Sequence, residues 1–278
     1  MLNKNHQNFE LGEKDFSFIR KRVYEECGIN LHEGKKELVR SRLSKRLREL
    51  NLRSFSEYKK FLEDNHEESV KLLNAISTNL TSFFREKKHF DFLTEKGLPG
   101  LLASKPRDKR ILRFWSAGCS TGEEPYSLAC ALESRCSDYG GFDFRITATD
   151  ISTDVLQKAQ AGIYEISRVA GVDISILKQY FQRGTGPKKG FVRVSKRLRS
   201  KIDFLRFNLM DPYRFNYEYD VIFCRNVMIY FEKKIQSAVI NKFYNALNPG
   251  GYLFVGHSES LMNIEHRFKY VEPTIYQK

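Results

Sequence analysis

Apolar residues follow two different rhythms along this chain, and the change comes near residue 100. Up to about residue 97 they recur at helical intervals with almost no strand signal, and no proline occurs before Pro99. The clearest helix is KKELVRSRLSKRLREL (35–50), where Val39, Leu43, Leu47 and Leu50 share one stripe. A second fits SFSEYKKFLEDN (54–65), with Ser54 or Ser56 as its N-cap. In LLNAISTNLTSFFREKKHFDFL (72–93) the polar residues Asn79, Thr81 and Arg85 interrupt an otherwise apolar helical stretch. LPGLLASKPRDKR (98–110) is a loop with a short helix that leads into a strand at Ile111.

From Ile111 onward short apolar runs alternate with amphipathic stretches, the pattern of an α/β fold with a parallel sheet covered on both faces. The run Ile111–Trp115 is a buried strand. It ends in the small residues 116–122, and then Glu123, Glu124 and Pro125 open a helix through Leu128, Ala129 and Leu132. Further strands are expected at 142–150, ending in Asp150, and at 201–212, 219–231 and 251–257. Helices are expected at 154–164 and through Ile235, Val239, Ile240 and Phe243. Asn248 to Gly251 is a turn, and the tail 267–278 holds a final antiparallel strand. Roughly 40 residues separate the helix at 154–164 from the strand at 201, where a plain connection takes about 2–6. This interval predicts an inserted subdomain with a β-hairpin, built on RGTGPKKGFVRVSKRLRSK (183–201).

Charge adds partners to this picture. The 278 residues carry a net +13, which favours an anionic partner. Between 35 and 48 there are seven Lys or Arg against the single acid Glu37, and between 183 and 206 nine against Asp203. Lys35, Arg42, Lys45 and Arg46 lie on one flank of the first helix, a candidate docking face beside the plainer reading of a solvated charged surface. The polar start MLNKNHQNFE is no signal peptide and no run of eighteen apolar residues occurs, so a soluble protein is expected. Five scattered cysteines without a C-x-x-C pair suit reduced thiols of the cytoplasm, with neither disulfides nor zinc.

Strand, tight glycine turn and helix bring a nucleotide-sized ligand against the backbone at the carboxyl end of a strand. Here two acids stand at the helix start. They repel a phosphate and welcome a cation or a ribose, which points to S-adenosylmethionine rather than a pyrophosphate cofactor. The polar strand ends are Gly118–Glu123, Asp150, Asn208-Leu209 and Arg225-Asn226. Asp150 is placed to take ribose hydroxyls, although its 28-residue separation from Gly122 exceeds the usual ~20.

ISTNLTSFFRE (76–86), FWSAGCSTGEEPYSLA (114–129), ITATDIS (146–152), YDVIFCRNVMIYF (219–231) and GGYLFVGHSESL (250–261) together resemble the CheR family of chemotaxis receptor methyltransferases. The resemblance covers nearly the whole chain. It implies a helical N-terminal domain (1–76), a linker (77–97) and a Rossmann-like class I methyltransferase domain (98–278) with a small inserted β-subdomain at about 165–201. It also implies cofactor contacts from Asn79, Thr81, Arg85, Glu123, Asp150, Asn208, Leu209, Arg225 and Asn226, and no metal. The implied reaction is transfer of a methyl group to glutamate carboxylates of receptors, leaving S-adenosylhomocysteine. In the family, the β-subdomain of some members takes a receptor's C-terminal pentapeptide as an edge strand, and RGTGPKKG resembles the loop of such members. A monomer acting in the cytoplasm, without nucleic acid or membrane insertion, is expected.

A glutamate carboxylate is already ionised at neutral pH, so it needs no general base. The chain must instead place the reactants and exclude water. Arg85 could pair with a carboxylate, and Tyr230, four residues past Asn226, could donate a hydrogen bond near the methyl group. Tyr230 is otherwise a core aromatic beside Phe231. Three rival readings stand beside this one. Gly118–Gly122 also matches the G-x-S-x-G nucleophile elbow, with His257 downstream, but only helix precedes the strand. An RNA methyltransferase would suit the charge, but the basic stretches lack interleaved aromatics. A cofactor-binding scaffold without turnover is the non-enzymatic alternative.

Overall fold

The computed structural model describes residues 9–106 and 111–278, so the expected start of the chain and the last four residues of the 98–110 connection lie outside the described residues. The chain divides into two compact units. One comprises residues up to Thr78 with Tyr230–Glu232, and the other comprises Asn79–Ile229 with Lys233–Lys278.

The first unit packs four helices: α1 (Glu13–Cys27), α2 (Lys36–Glu49), α3 (Phe55–Asp64) and α4 (His66–Ile76). The stripe read from α2 is its buried face, with Val39, Leu43 and Leu47 all inaccessible, while Leu50 caps the helix half-buried. Ser54 is the N-cap of α3: its hydroxyl accepts from the Glu57 N–H at 3.1 Å, and the Glu57 carboxylate reaches back to the Arg53 N–H at 2.8 Å. Two arginines of α2 act as internal struts. Arg46 grips the Glu68 carboxylate with two bonds, at 2.9 and 2.7 Å, and the buried Tyr58 hydroxyl donates to the same carboxylate at 3.0 Å. Arg42 donates to the carbonyls of Ile76 and, at 2.9 Å, Ser77, so a cation closes the carboxyl end of α4. The segment 230–232 joins this unit through Asn30 N–H to the Tyr230 carbonyl (2.9 Å) and through Tyr24 and Asn30 to the Glu232 carboxylate.

In the second unit α5 (Lys88–Phe92) continues through a wide turn, Leu93–Gly97, into α6 (Leu98–Ala103). Then come β1 (Ile111–Ala117), α7 (Glu123–Arg135), β2 (Asp143–Asp150) and α8 (Thr153–Ala161). The insertion holds β3 (Ile163–Glu165), α9 (Ile174–Tyr180), β4 (Phe181–Arg183), β5 (Phe191–Val194) and α10 (Lys196–Arg199). The main sheet resumes with β6 (Ile202–Arg206), β7 (Tyr219–Cys224), α11 (Lys233–Ala246), β8 (Leu247–Val255), β9 (Lys269–Glu272) and β10 (Ile275–Gln277).

The main sheet runs β6-β2-β1-β7-β8-β10-β9, with the first five strands parallel and β10 antiparallel to both its neighbours. From β1 the chain steps outward through β2 to β6, then returns to the other side of β1 to lay down β7 and β8. The order therefore reverses between β1 and β7, and that is where an open sheet of this kind takes its ligand. β7 is buried at all six positions and reads apolar except at Asp220, whose carboxylate accepts from the Arg113 N–H at 2.8 Å and pairs with Lys105 at 3.0 Å. This is the expected α/β, Rossmann-like architecture.

Several boundaries differ from expectation. The helix expected to reach 164 stops at Ala161, because Gly162 takes the left-handed conformation (φ 60°) and caps it. Ile163–Glu165 is thereby freed, and the insertion is a three-stranded antiparallel sheet, β3-β5-β4, rather than a hairpin. The strands expected to reach 212 and 231 end at Arg206 and Cys224. Their apolar character continues past the strand into the rim, where Leu209 and Met228 are buried from non-strand backbone. The Asn248–Gly251 turn lies within the irregular start of β8, and the tail forms two strands, not one.

Replacing Arg46 with Met leaves the Glu68 carboxylate, 4% exposed, without its cation. We expect a loss of about 3 kcal/mol or more in urea unfolding. Lys45→Met removes a side chain that is 80% exposed and should change stability by less than about 0.5 kcal/mol. Equal effects would show that Arg46 is not a strut.

Candidate active site

The turn after β1 is compact because its backbone folds onto β2. The N–H groups of Gly118 and Cys119 both donate to the Thr149 carbonyl at 2.8 Å. Gly118 has φ 86°, and a Cβ there would lie 2.4 Å from Val227 Cγ2. Gly122 has φ 95°, and a Cβ there would meet Ala159 and the Tyr164 hydroxyl at 2.9 Å. Both positions require glycine, so Cys119-Ser120-Thr121 fills the middle of the turn without loosening it.

Asp150, at the end of β2, is buried against this turn. One carboxylate oxygen accepts from the Ser120 N–H at 2.8 Å and the other from the Ser152 N–H at 2.9 Å. Burial pushes its carboxyl above the usual range, opposed by these backbone N–H groups. The Ser120 hydroxyl donates to the Asn79 carbonyl at 2.9 Å and so holds the start of the linker. That hydroxyl is committed to backbone, which leaves the nucleophile-elbow reading without a free serine.

The linker 79–86 is non-helical, and it is held chiefly through its backbone groups. Arg168, from the insertion, donates to the Thr81 carbonyl at 2.9 Å and pairs with the fully buried Glu123. The second Glu123 oxygen accepts from the Thr121 hydroxyl at 2.6 Å. Phe83 packs edge-on against Tyr164 and Phe181, with ring centroids at 5.0 and 5.5 Å. The Phe84 N–H donates to the Ser127 hydroxyl at 2.8 Å, and Arg85 donates to the Leu80 carbonyl at 3.0 Å.

Arg225, just past β7, has a side chain only 2% exposed. Its guanidinium lies 3.1 Å from Glu86 and 3.3 Å from Glu124, and it also donates to the Arg85 carbonyl. Burial raises both carboxyls. For Glu86 the Arg225 cation and the His257 N–H more than offset this and hold it below the usual range. For Glu124 burial prevails over Arg225 and the Ser116 hydroxyl, and the net direction is upward. Asn226 takes φ 59° because its N–H, with those of Gly256 and Ile229, converges on the buried Glu259 carboxylate at 2.6, 2.7 and 3.2 Å.

The structure thus ties the backbone carbonyls of Asn79, Thr81 and Arg85 to Ser120, Arg168 and Arg225, and sets them beside Glu123 and Asp150 at the ends of β1, β2 and β7. Asn208 and Leu209 come after β6 beside these groups, where the Phe207 N–H donates to the Asp150 carbonyl at 3.1 Å. Leu209 is buried, and its carbonyl accepts from the Lys242 ammonium. The Glu123 and Arg225 side chains are turned to protein partners. Tyr230 belongs to the helical unit, as do Lys35, Arg42, Lys45 and Arg46; of these four, Arg42 and Arg46 are the struts already described and Lys45 is exposed. Residues missed by sequence reasoning are Arg168, Glu86 and Glu259. The two acids lie inside motifs singled out for other members, whereas Arg168 meets Glu123 across 45 residues and carries no local signal.

These groups fit a nucleoside cofactor of one kind. Two carboxylates at the start of α7 disfavour a phosphate there. Each Asp150 oxygen holds one backbone N–H and keeps acceptor capacity for a hydroxyl.

Two family descriptions match the chain: the CheR methyltransferase all-alpha domain over residues 14–77 and the CheR methyltransferase SAM binding domain over 79–277. The chain is 42% identical over 274 residues to chemotaxis protein methyltransferase 2 of Pseudomonas aeruginosa, covering 98% of this chain and 95% of that protein. It is 40% identical to the chemotaxis protein methyltransferase of Salmonella typhimurium and 39% identical to that of Escherichia coli, each over 97% of this chain and 92% of the relative.

Arg225→Met strips Glu86 and Glu124 of their shared cation, and we expect a loss of about 3–5 kcal/mol at pH 7.5. Both carboxyls would then titrate above their unfolded values in the folded variant. Its deficit relative to wild type should shrink as pH falls to 5.5. Urea unfolding at the two pH values checks this; a deficit that stays constant contradicts it.

Proposed function

The chain belongs to the CheR methyltransferase family, and from that premise we propose how its residues carry methyl transfer to glutamate side chains of chemotaxis receptors. The reading rests chiefly on Asp150, a buried carboxylate with unused acceptor capacity beside a phosphate-repelling turn. When bound, S-adenosylmethionine supplies a methyl group made electrophilic by its sulfonium.

The residues that would hold it are Asp150 at the ribose hydroxyls, Asn208, Leu209 and the backbone of Arg225-Asn226 around the base, and Asn79, Thr81 and Arg85 along the linker. Glu123 acts here through Arg168 and Thr121, as part of the wall. The acceptor glutamate is ionised at neutral pH and attacks without a base. The work of the protein is alignment and exclusion of water. Arg85 retains donors that can hold a carboxylate, and we assign Tyr230 the role of a hydrogen-bond donor in the reaction.

Substrate choice depends on the basic surfaces. Lys45 on α2 and Lys35 just before it offer charge to acidic receptor helices, and Arg42 and Arg46 hold α2 in place. The three-stranded insertion has open edges at β3 and β4, and a receptor's C-terminal pentapeptide would add a strand there. Such tethering raises the local concentration of methylation sites. The protein acts as a monomer at the cytoplasmic side of receptors. The five cysteines are all unpaired thiols, and no helix among the described residues is long and apolar enough to cross a membrane.

Methyl-labelled S-adenosylmethionine and a receptor cytoplasmic fragment should give labelled receptor that releases volatile methanol in mild alkali. Label that survives alkali would mean another acceptor. Tyr230→Phe should lower kcat about tenfold with little change in KM, the size of one lost hydrogen bond.

A further inference from the structure

Beside the Arg225 cluster, three potential ligand atoms from Glu86, His89 and His257 lie within 4.8 Å of one another. His89 is 1% exposed, and its bonding is lopsided. Its Nε2 is 2.8 Å from the Thr274 hydroxyl oxygen, and that hydroxyl already donates to the Pro273 carbonyl at 2.6 Å. With the Thr274 proton on Pro273, Nε2 is the donor of this pair. This leaves Nδ1 as a bare acceptor, buried and without a hydrogen-bond partner. It faces the Glu86 carboxylate at 3.5 Å, so two acceptors oppose each other.

Something positive between the lone pairs resolves this geometry. His257 completes the set: its Nε2 is 4.0 Å from the same Glu86 oxygen, and its side chain is 55% exposed and able to swing in. In a tetrahedral site with bonds of about 2.0–2.1 Å, ligand atoms stand roughly 3.4 Å apart. The Glu86–His89 separation already matches. The Thr274 bond to Nε2 is the outer contact that fixes the tautomer of a metal-ligating histidine. Arg225 opposes a cation, but it is shared between Glu86 and Glu124, so the cluster as a whole carries a formal charge of −1.

We propose that Glu86, His89 and His257 form a binding site for a first-row divalent cation of the zinc type, with solvent in the remaining position. Two imidazoles and one carboxylate are a donor set such ions favour. The ion would clasp the end of the cofactor linker to the loop after β8, within one unit of the fold. It takes no part in methyl transfer.

The test uses tag-free, chelator-treated full-length protein titrated with Co²⁺ and followed by visible absorption. We expect one equivalent to bind with ligand-field bands of low coordination and no thiolate charge-transfer band, and Zn²⁺ to displace it. His257→Ala, at an exposed position that should fold normally, should weaken binding about a hundredfold, by loss of a direct ligand. His32→Ala, on the helical unit, should not change it. Absence of a stoichiometric site, a thiolate band, or equal affinity in His257→Ala would each overturn the proposal.

Discussion

The geometry of the active-site rim depends on one buried cation. Arg225 leaves the end of β7 and spends its guanidinium on Glu86, Glu124 and the Arg85 carbonyl, so a single side chain joins the sheet, the first turn of α7 and the linker. An unpaired charge in this position would cost several kcal/mol, and so would either carboxylate without the arginine. The three groups therefore hold one another, and the linker has few alternatives to the path it takes. Arg168 repeats the device on the other side, joining Glu123 to the Thr81 carbonyl.

In the proposed reading, the same acids bear on what the site accepts. A dinucleotide fold normally offers its helix start to a pyrophosphate. Here Glu123 and Glu124 occupy that place and Asp150 stands at the next strand end. The result suits a ribose and a sulfonium. Because the acceptor is already a nucleophile, the residues need not include a strong base.

Period and punctuation made much of the fold legible. The α2 stripe, the apolar β1 run, the glycines at 118 and 122 and Pro125 each report local backbone demands, and the structure meets them. Strand ends were less legible, because Leu209 and Met228 keep the apolar pattern going after the backbone has turned away. In the site, Asp150 is legible as the last residue of β2, whereas Asn226 lies two residues past the end of β7, within a stretch whose pattern reads as strand to 231. Arg168 and His257 could not be placed: their partners lie 45 and 171 residues away, and only tertiary folding joins them. The sequence also offered Arg42 and Arg46 as a charged surface, while the structure spends both inside the helical unit. A basic residue on a helix flank reads the same whether it faces solvent or a neighbouring carboxylate.

Calorimetric titration of S-adenosylhomocysteine into wild type and Asp150→Asn tests the claim at the centre of this account, that a buried, ionised Asp150 anchors a phosphate-free nucleoside. Losing charge-assisted bonds to the ribose should weaken binding about ten- to a hundredfold. In wild type, affinity should also fall on acidification at a pH above the ordinary carboxylate range, because burial raises this carboxyl. Equal affinity in the two proteins, with no loss at mildly acidic pH, would contradict it.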